Sequence, residues 1–302
     1  MSVPADASTE GLFFSSLNPL APITIVLLHA LMGSHLEWAH CWPKLSEYHL
    51  LIPDLPQHSR SRHVGPFSYL LSADLIAKII RDHAHDGRAH VVGVSAGGYV
   101  ALELVRRHPD TVLSAFVSGA APLEDFWKSF NSQPKIAQIG LSVILHSPRS
   151  VMTKATGWAP ELRNDELVKE MKRNNTARLY ETGCREAQNW TRENLEEVGR
   201  RDKRIALVAS RHEKVEHIQE MARVLGALGS DQGQKTRAFL VKDAIQAWNL
   251  QNPQLFARGI RAWAEKMPMP MDYEPLEGEA GANPRREVPS RGQSNRGPSS
   301  SK

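Results

Sequence analysis

The chain lacks most of the features that define specialised protein classes. It has two cysteines, Cys41 and Cys184, in 302 residues, too few for a disulfide framework. Its longest apolar run, around residues 23–28, is too short to span a bilayer, and its mean hydropathy is −0.38. The first ten residues lack the basic segment and long apolar stretch of a secretory signal. We therefore expect a protein of the reducing cytoplasm that does not insert into a membrane.

The charge distribution is equally unspecialised. The net charge is +4, and the one tight basic group, residues 200–204, has no aromatic residues interleaved with it. Such a group is typical of a solvated linker before a strand and not of a nucleic-acid surface. No residue pattern indicates a metal or a cofactor. We expect a small-molecule substrate as the partner and no nucleic acid, and we leave a homodimer open.

Short apolar runs alternate with helical patterns along most of the chain. The predicted strands are 23–28, 48–52, 89–94, 112–117, 204–209 and 237–241, and the predicted helices are 72–83, 99–107, 215–228 and 253–266. Strands that alternate with helices predict an α/β fold with a mostly parallel sheet covered by helices on both faces.

We divide the chain into an N-terminal extension (residues 1–10), a domain (residues 11–271) and a C-terminal tail. The alternation is interrupted within the domain at residues 122–200. Residues 272–302 are rich in Pro, Gly, Ser and charge, which predicts a disordered tail that can be removed without unfolding the body.

Residues 122–200 form several helices between two strands, and we predict that they make a lid that roofs the site. Trp127, Trp158 and Trp190 in this insertion are candidates for substrate binding. Each of them could instead be an ordinary core residue, and for each one singly we favour the core.

Residues 93–97 (GVSAG) match the pattern G-x-S-x-G between a β-type run and a helical run. A sharp turn from strand to helix forces the serine into a strained conformation, and only small neighbours avoid a collision there. The turn holds the Ser95 hydroxyl at a helix N-terminus, where free backbone amides favour developing negative charge.

With this motif in context, the sequence resembles the α/β-hydrolase superfamily over about residues 11–267. The similar segments, in the family's order, are 27–34 (LLHALMGS), 53–61 (PDLPQHSRS), 93–97 (GVSAG), 206–213 (ALVASRHE) and 247–256 (AWNLQNPQLF). Ala30 and Gln57 stand where the family usually has glycine. These matches imply the fold but do not fix a substrate, because the fold hosts many chemistries.

The resemblance also implies roles for individual residues. Ser95 is the nucleophile, and the backbone amides of Ala96 and of either Ala30 or Leu31 form the oxyanion hole. Glu213 stands where the family has the acid of the catalytic triad. It could instead be a surface carboxylate at the end of a strand.

The histidine of the triad is missing from its expected place. The family order is serine, acid, histidine, but Gln246 precedes the Ala-Trp pair at 247–248. Glutamine cannot take a proton near neutral pH, and without a base the serine hydroxyl is a weak nucleophile. After Glu213 the sequence contains one histidine, His217. We expect His29 to be a structural part of its loop.

Three hypotheses follow. The first is a serine hydrolase, an esterase or carbon–carbon bond hydrolase, that acts on a small apolar metabolite and uses His212 or His217 as its base. The second is a non-hydrolytic enzyme, such as a lyase or cyclase, that uses the oxyanion hole to stabilise an enolate. The third is an inactive hydrolase scaffold that binds a ligand. The resemblance favours a metabolite from a biosynthetic or degradative pathway over a protein substrate.

Overall fold

The computed structural model describes residues 11–120, 133–211, 215–228, 235–245 and 247–276 of the chain. Trp127, His212, Glu213 and Gln246 lie outside these described residues. Arg211 and Val215 bracket His212 and Glu213, and Ile245 and Ala247 bracket Gln246.

Eight strands form one sheet within the described ranges, in the order β1-β3-β2-β4-β5-β6-β7-β8. Their bounds are Phe14–Leu17 (β1), Thr24–Leu28 (β2), His49–Pro53 (β3), Ala89–Val94 (β4), Val112–Ser118 (β5), Arg204–Ser210 (β6), Thr236–Val241 (β7) and Glu274–Pro275 (β8). The six inner strands are parallel, and β1 and β8 are antiparallel to their neighbours at the two edges. The α/β-hydrolase fold predicted from the sequence is therefore confirmed.

Nine α-helices lie in the part of the chain that the structure describes. They are Tyr69–His83 (α1), Ala96–Arg107 (α2), Pro134–His146 (α3), Arg149–Thr156 (α4), Asp165–Asn174 (α5), Ala177–Gln188 (α6), Arg192–Gly199 (α7), Val215–Ala227 (α8) and Pro253–Ala264 (α9). None of these helices combines the length and the apolar character that crossing a membrane requires.

The two faces of the sheet are covered by different helices. Along β2, Val26 and Leu28 point into one core, which α1, α2 and α8 complete, whereas Ile25 and Leu27 point into the other, which α9 completes. Both faces of the parallel strands are therefore buried. This explains why the strands are continuous apolar runs and do not alternate with polar residues.

The insertion between β5 and β6 divides into two parts. Helix α3 packs against α4, α5 and α6, whereas α7 packs against α2 and α8 of the body. The predicted lid is therefore too long at its C-terminal end, since residues 192–199 belong to the body. The sequence did not reveal this because α7 has the same amphipathic pattern as the lid helices.

The predicted tail is wrong at its start. Residues 274–275 form β8, and Leu276 N donates to Ala238 O at 2.9 Å. Tyr273 is 2% exposed, and its hydroxyl donates to Leu255 O at 3.2 Å. One aromatic residue in a polar stretch was too weak a sequence signal, yet it fills a place in the core.

We expect a chain that ends at Met271 to be less stable than the full chain by about 3–5 kcal/mol, the usual cost of deleting a large aromatic side chain from a core. A chain that ends at Leu276 should unfold at nearly the same urea concentration as the full chain, because the residues removed are almost devoid of large apolar side chains. Urea unfolding of the three chains is the measurement. Equal midpoints for the two truncations would contradict the assigned role of Tyr273.

Candidate active site

Ser95 occupies the turn between β4 and α2. Its φ of 52° and ψ of −117° lie outside the conformations that most residues adopt, a strain that costs about 1–3 kcal/mol. The surrounding backbone holds the turn, because Ser95 N donates to Ser118 O at 2.8 Å and Gly98 N donates to Ser95 O at 2.8 Å. The half-buried Ser95 side chain makes no hydrogen bond within the described residues. The sequence-predicted turn is therefore present, with its serine hydroxyl unengaged.

The two glycines of the motif are required by close packing. A Cβ on Gly93 would lie 2.1 Å from Gly97 O, and a Cβ on Gly97 would lie 2.3 Å from Leu28 O. Both distances involve backbone atoms that cannot move aside. Glycine at these positions lets the first turn of α2 approach β2, which carries the next part of the site.

The loop after β2, residues 30–33, has almost all its backbone amides engaged. Ala30 N donates to Glu37 Oε2 (3.0 Å), Met32 N donates to His58 Nε2 (3.3 Å), and Gly33 N donates to Ala30 O (2.9 Å). Leu31 N has no acceptor among the described residues. Of the two alternatives that the sequence left open for the oxyanion hole, the Ala30 amide is occupied by Glu37, and the Leu31 amide has no acceptor in the described ranges.

Ala96 supplies a second amide that bonds to no acceptor in the part of the chain that the structure describes. It is the first residue of α2, and the amides of a helix's first turn have no acceptor within the helix. The carboxyl edge of the sheet therefore carries the Ser95 hydroxyl, the Ala96 amide and the Leu31 amide on adjacent segments.

Asn174 at the end of α5 holds the carbonyl groups of the same loop. Its Nδ2 donates to Met32 O at 3.1 Å and to Gly33 O at 2.8 Å, and its Oδ1 accepts from Ser59 N at 2.8 Å. Asn174 is 1% exposed. The buried side-chain amide of Asn174 therefore holds the lid against residues 30–33, which we call the oxyanion loop. No sequence pattern indicated it, because an asparagine at a helix end is common on protein surfaces.

Helix α6 also lies against the loop. A Cβ on Gly183 would lie 2.5 Å from the Leu31 side chain. The insertion thus covers the carboxyl edge of the sheet beside the oxyanion loop, as the prediction of a lid requires.

Glu37 links the oxyanion loop to the segment that follows position 246. Its Oε2 accepts from Ala30 N at 3.0 Å, and its Oε1 accepts from Asn249 Nδ2 at 2.9 Å. Burial raises the pKa of Glu37 to about 7, although the bonds from Asn249 and Ala30 oppose the rise. Glu37 and Asn249 were missed from the sequence because charged and amide residues in short loops usually face solvent.

The two histidines near the loop cannot serve as bases. His29 Nε2 accepts from Leu55 N at 3.0 Å, and its Nδ1 donates to Ala30 O at 2.8 Å. His58 is held in the same way, between Met32 N and Pro56 O. Burial lowers the pKa of His29 to about 4 and that of His58 to about 3. Both rings are neutral structural groups, which confirms the expectation for His29.

The positions of Glu213 and Gln246 are bracketed by described neighbours. Ser210 at the end of β6 pairs with Val241 at the end of β7, and Arg211 N donates to Ala244 O at 3.2 Å. The two loops therefore start side by side at the carboxyl edge of the sheet.

The segment after Gln246 is tied to the turn that carries Ser95. Trp248 Nε1 donates to Ser118 Oγ at 2.9 Å, and Ser118 O accepts from Ser95 N at 2.8 Å. Position 246 is thus two residues along the chain from a side chain that shares Ser118 with Ser95. His217 at the start of α8 is half-buried, and its Nδ1 has no hydrogen-bond partner in the described part of the chain. No hydrogen bond joins Ser95 to any described histidine.

The two described tryptophans of the insertion differ in surroundings. Trp158 is 8% exposed and follows Gly157, which packs against the Ile245 side chain next to position 246. Trp190 is 7% exposed, and its ring meets the edge of the Tyr99 ring on α2 with centroids 5.9 Å apart. Trp190 is a core residue of the body, which corrects its assignment to substrate binding, and Trp158 remains a candidate.

A family model described as the alpha/beta hydrolase fold matches residues 23–138, which include both the oxyanion loop and Ser95. An AB hydrolase superfamily protein of Gibberella zeae is 42% identical over 110 residues, which are 36% of this chain and 39% of that protein. A pimeloyl-(acyl-carrier protein) methyl ester esterase of Neisseria meningitidis serogroup B is 46% identical over 61 residues, which are 20% of this chain and 22% of the esterase. The chain thus matches well under half the length of these relatives.

The likeness of fold extends over nearly the whole domain. A thermophilic esterase from Thermogutta terrifontis superposes with a TM-score of 0.61 at 16% identity, covering 87% of this chain and 97% of the esterase. Taken with the turn at Ser95 and the sheet order, these matches show that the chain has the α/β-hydrolase fold. The relatives include proteins named as esterases, a lipase and a 2-succinyl-6-hydroxy-2,4-cyclohexadiene-1-carboxylate synthase.

Glu37 should make stability depend on pH. Its pKa is about 7 in the folded chain and 4.5 for an unperturbed glutamate, so the folded state holds a proton that the unfolded state loses first. The contribution of Glu37 to the free energy of unfolding is therefore greatest below about pH 4.5, and it falls by about 3 kcal/mol as the pH rises toward 7. Glu37→Gln should remove this loss.

The measurement is urea unfolding at pH 5 and pH 8 of the wild type, Glu37→Gln and Glu161→Gln, in which the altered residue is exposed. Glu37→Gln should gain stability relative to the wild type between the two pH values, and Glu161→Gln should not. A constant difference between Glu37→Gln and the wild type would mean that Glu37 does not titrate in this range.

Proposed function

We propose that the chain is a hydrolase that cleaves an ester of a small apolar metabolite, in a biosynthetic or degradative pathway, through attack by Ser95. The observation that carries the proposal is that, in the loop of residues 30–33, the Leu31 amide is the one without an acceptor among the described residues. Its neighbours Ala30, Met32 and Gly33 all donate to fixed acceptors. A loop held this rigidly with one unengaged donor suits the binding of a transient oxyanion.

The reaction begins when Ser95 Oγ attacks the carbonyl carbon of the ester. The carbonyl oxygen becomes an oxyanion that accepts from Leu31 N and Ala96 N, each worth roughly 3–4 kcal/mol when aimed at the developing charge. Collapse of this intermediate breaks the bond to the alcohol oxygen, the alcohol leaves with the proton that the Ser95 hydroxyl gave up, and an acyl group remains on Ser95. Water then attacks the acyl carbon, and the acid is released with Ser95 regenerated.

The attack by Ser95 requires a base that accepts the proton of its hydroxyl group. His29 and His58 are both excluded, since each ring nitrogen is engaged. Gln246 at the family's histidine position cannot accept a proton. His212 and His217 are the remaining candidates from the sequence, and Glu213 would orient whichever imidazole serves. Because no described histidine makes a hydrogen bond to Ser95, we expect slow ester cleavage by the wild type. Carbon–carbon bond hydrolysis by the same serine stays within this proposal.

A second candidate function follows from the same absence. No described histidine bonds to Ser95, while both oxyanion amides are free. A lyase or cyclase needs such donors to stabilise an enolate but does not need an activated serine. An inactive ligand-binding hydrolase scaffold would need neither.

The decisive change is Gln246→His. An imidazole at this position could take the proton of Ser95, with Glu213 behind it. We expect faster labelling by a fluorophosphonate probe and faster hydrolysis of short-chain 4-nitrophenyl esters than in the wild type. The gain depends on how well the ring is held, since an error of about 1 Å can cost about 100-fold.

Ser95→Ala, alone and combined with Gln246→His, is the control and should abolish labelling. Rapid labelling of wild-type Ser95 would show that another base already serves it, and His212→Gln and His217→Gln would then identify that base. An unreactive Gln246→His variant whose thermal unfolding matches that of the wild type would count against Gln246 as the triad position.

A further inference from the structure

A small pocket lies where the lid meets the loop after β3. Its volume is about 100 Å³, and its lining includes Gln57 and Arg62 from the loop and Arg173, Asn174, Thr176 and Arg178 from the end of α5 and the start of α6. Pockets for drug-sized ligands are larger, roughly 300–1,000 Å³. The space therefore suits one small group, such as a carboxylate or a phosphate.

The charge of this pocket is strongly positive. Three arginines line it and no carboxylate does. Arg173 donates to Glu170 Oε1 at 2.6 Å, which offsets one of the three charges. Neither Arg62 nor Arg178 contacts a carboxylate within the described residues. By contrast, Arg163 on the same lid donates to Asp165 at 2.6 Å.

The arginines come from separate parts of the chain, and one of them is anchored. Arg62 lies in the loop after β3, whereas Arg178 is the second residue of α6. Arg62 Nη2 donates to Asn174 Oδ1 at 3.5 Å, and Asn174 is almost completely buried. A guanidinium held by a buried amide loses less freedom when it binds an oxoanion, whose oxygens match its planar donors.

We propose that this pocket is a binding site for an oxoanion, a carboxylate or phosphate group of a small ligand, with Arg62 and Arg178 as its direct contacts. Asn174 positions Arg62 and also donates to the Met32 and Gly33 carbonyls. The site is thus joined to the oxyanion loop through one side chain. Binding at the pocket does not require that Ser95 be catalytic, so the site can be tested separately from the proposed function.

The test is isothermal titration calorimetry of the full chain with inorganic phosphate and, separately, with acetate, at constant ionic strength maintained with chloride. The key variant is the double substitution Arg62→Gln with Arg178→Gln. Arg185→Gln is the matched control, since Arg185 is an exposed arginine of the same helix whose Nη2 donates to Thr182 Oγ1 at 3.5 Å. Thermal unfolding of each variant establishes that it is folded.

We expect the wild type and Arg185→Gln to bind one of the two anions with the same Kd. The double variant should raise that Kd by at least about tenfold, since it removes both of the arginines that would donate charge-assisted hydrogen bonds to the anion. The stronger of the two probes identifies the group as phosphate or carboxylate. The proposal is overturned if neither anion binds the wild type, or if Arg185→Gln weakens binding as much as the double variant does.

Discussion

The rest of the site depends on the close backbone contact between Gly97 and the end of β2. Any side chain at Gly97 would push α2 away from the Leu28 and His29 carbonyls. That shift would separate the Ala96 amide from the loop that carries the Leu31 amide. The strained backbone of Ser95 is tolerated because this contact, the Gly93 contact and the hydrogen bonds to Ser118 and Gly98 leave the turn no alternative.

The oxyanion loop is the second rigid part, and it is held by side chains from distant parts of the chain. Glu37 and His58 accept from its amides, and Asn174 donates to its carbonyls. Burying a carboxylic acid here has an energetic cost, which is visible in the raised pKa of Glu37. The same carboxyl group accepts from both Ala30 N and Asn249 Nδ2, so one buried side chain holds two segments of the chain together. Rigidity of the loop and stability of the fold are therefore set by the same few polar groups.

Much of the fold could be predicted from the sequence, because the parallel strands are buried on both faces and appear as continuous apolar runs. The ends of the six inner strands lie within one residue of the prediction. The edge strands were missed, since Phe14–Leu17 has two serines in four residues and β8 is only two residues long. The Ser95 turn has a sequence pattern because its sterics allow few residues. Glu37, Asn174 and Asn249 have none, because their importance arises only from partners far away in the chain.

These partners lie far apart along the chain, so they emerge from the ribosome at different times. The turn and the oxyanion loop are both encoded before residue 120, but Asn174, Trp248 and Asn249, which hold them, are encoded much later. A nascent chain carries the serine long before the ribosome releases the residues that complete its surroundings. Until Asn249 has emerged, the Glu37 carboxyl group lacks one of its two donors. The surroundings of Ser95 are thus completed close to the end of synthesis, and a chain that stops at mid-length contains the GVSAG motif without Trp248 and Asn249.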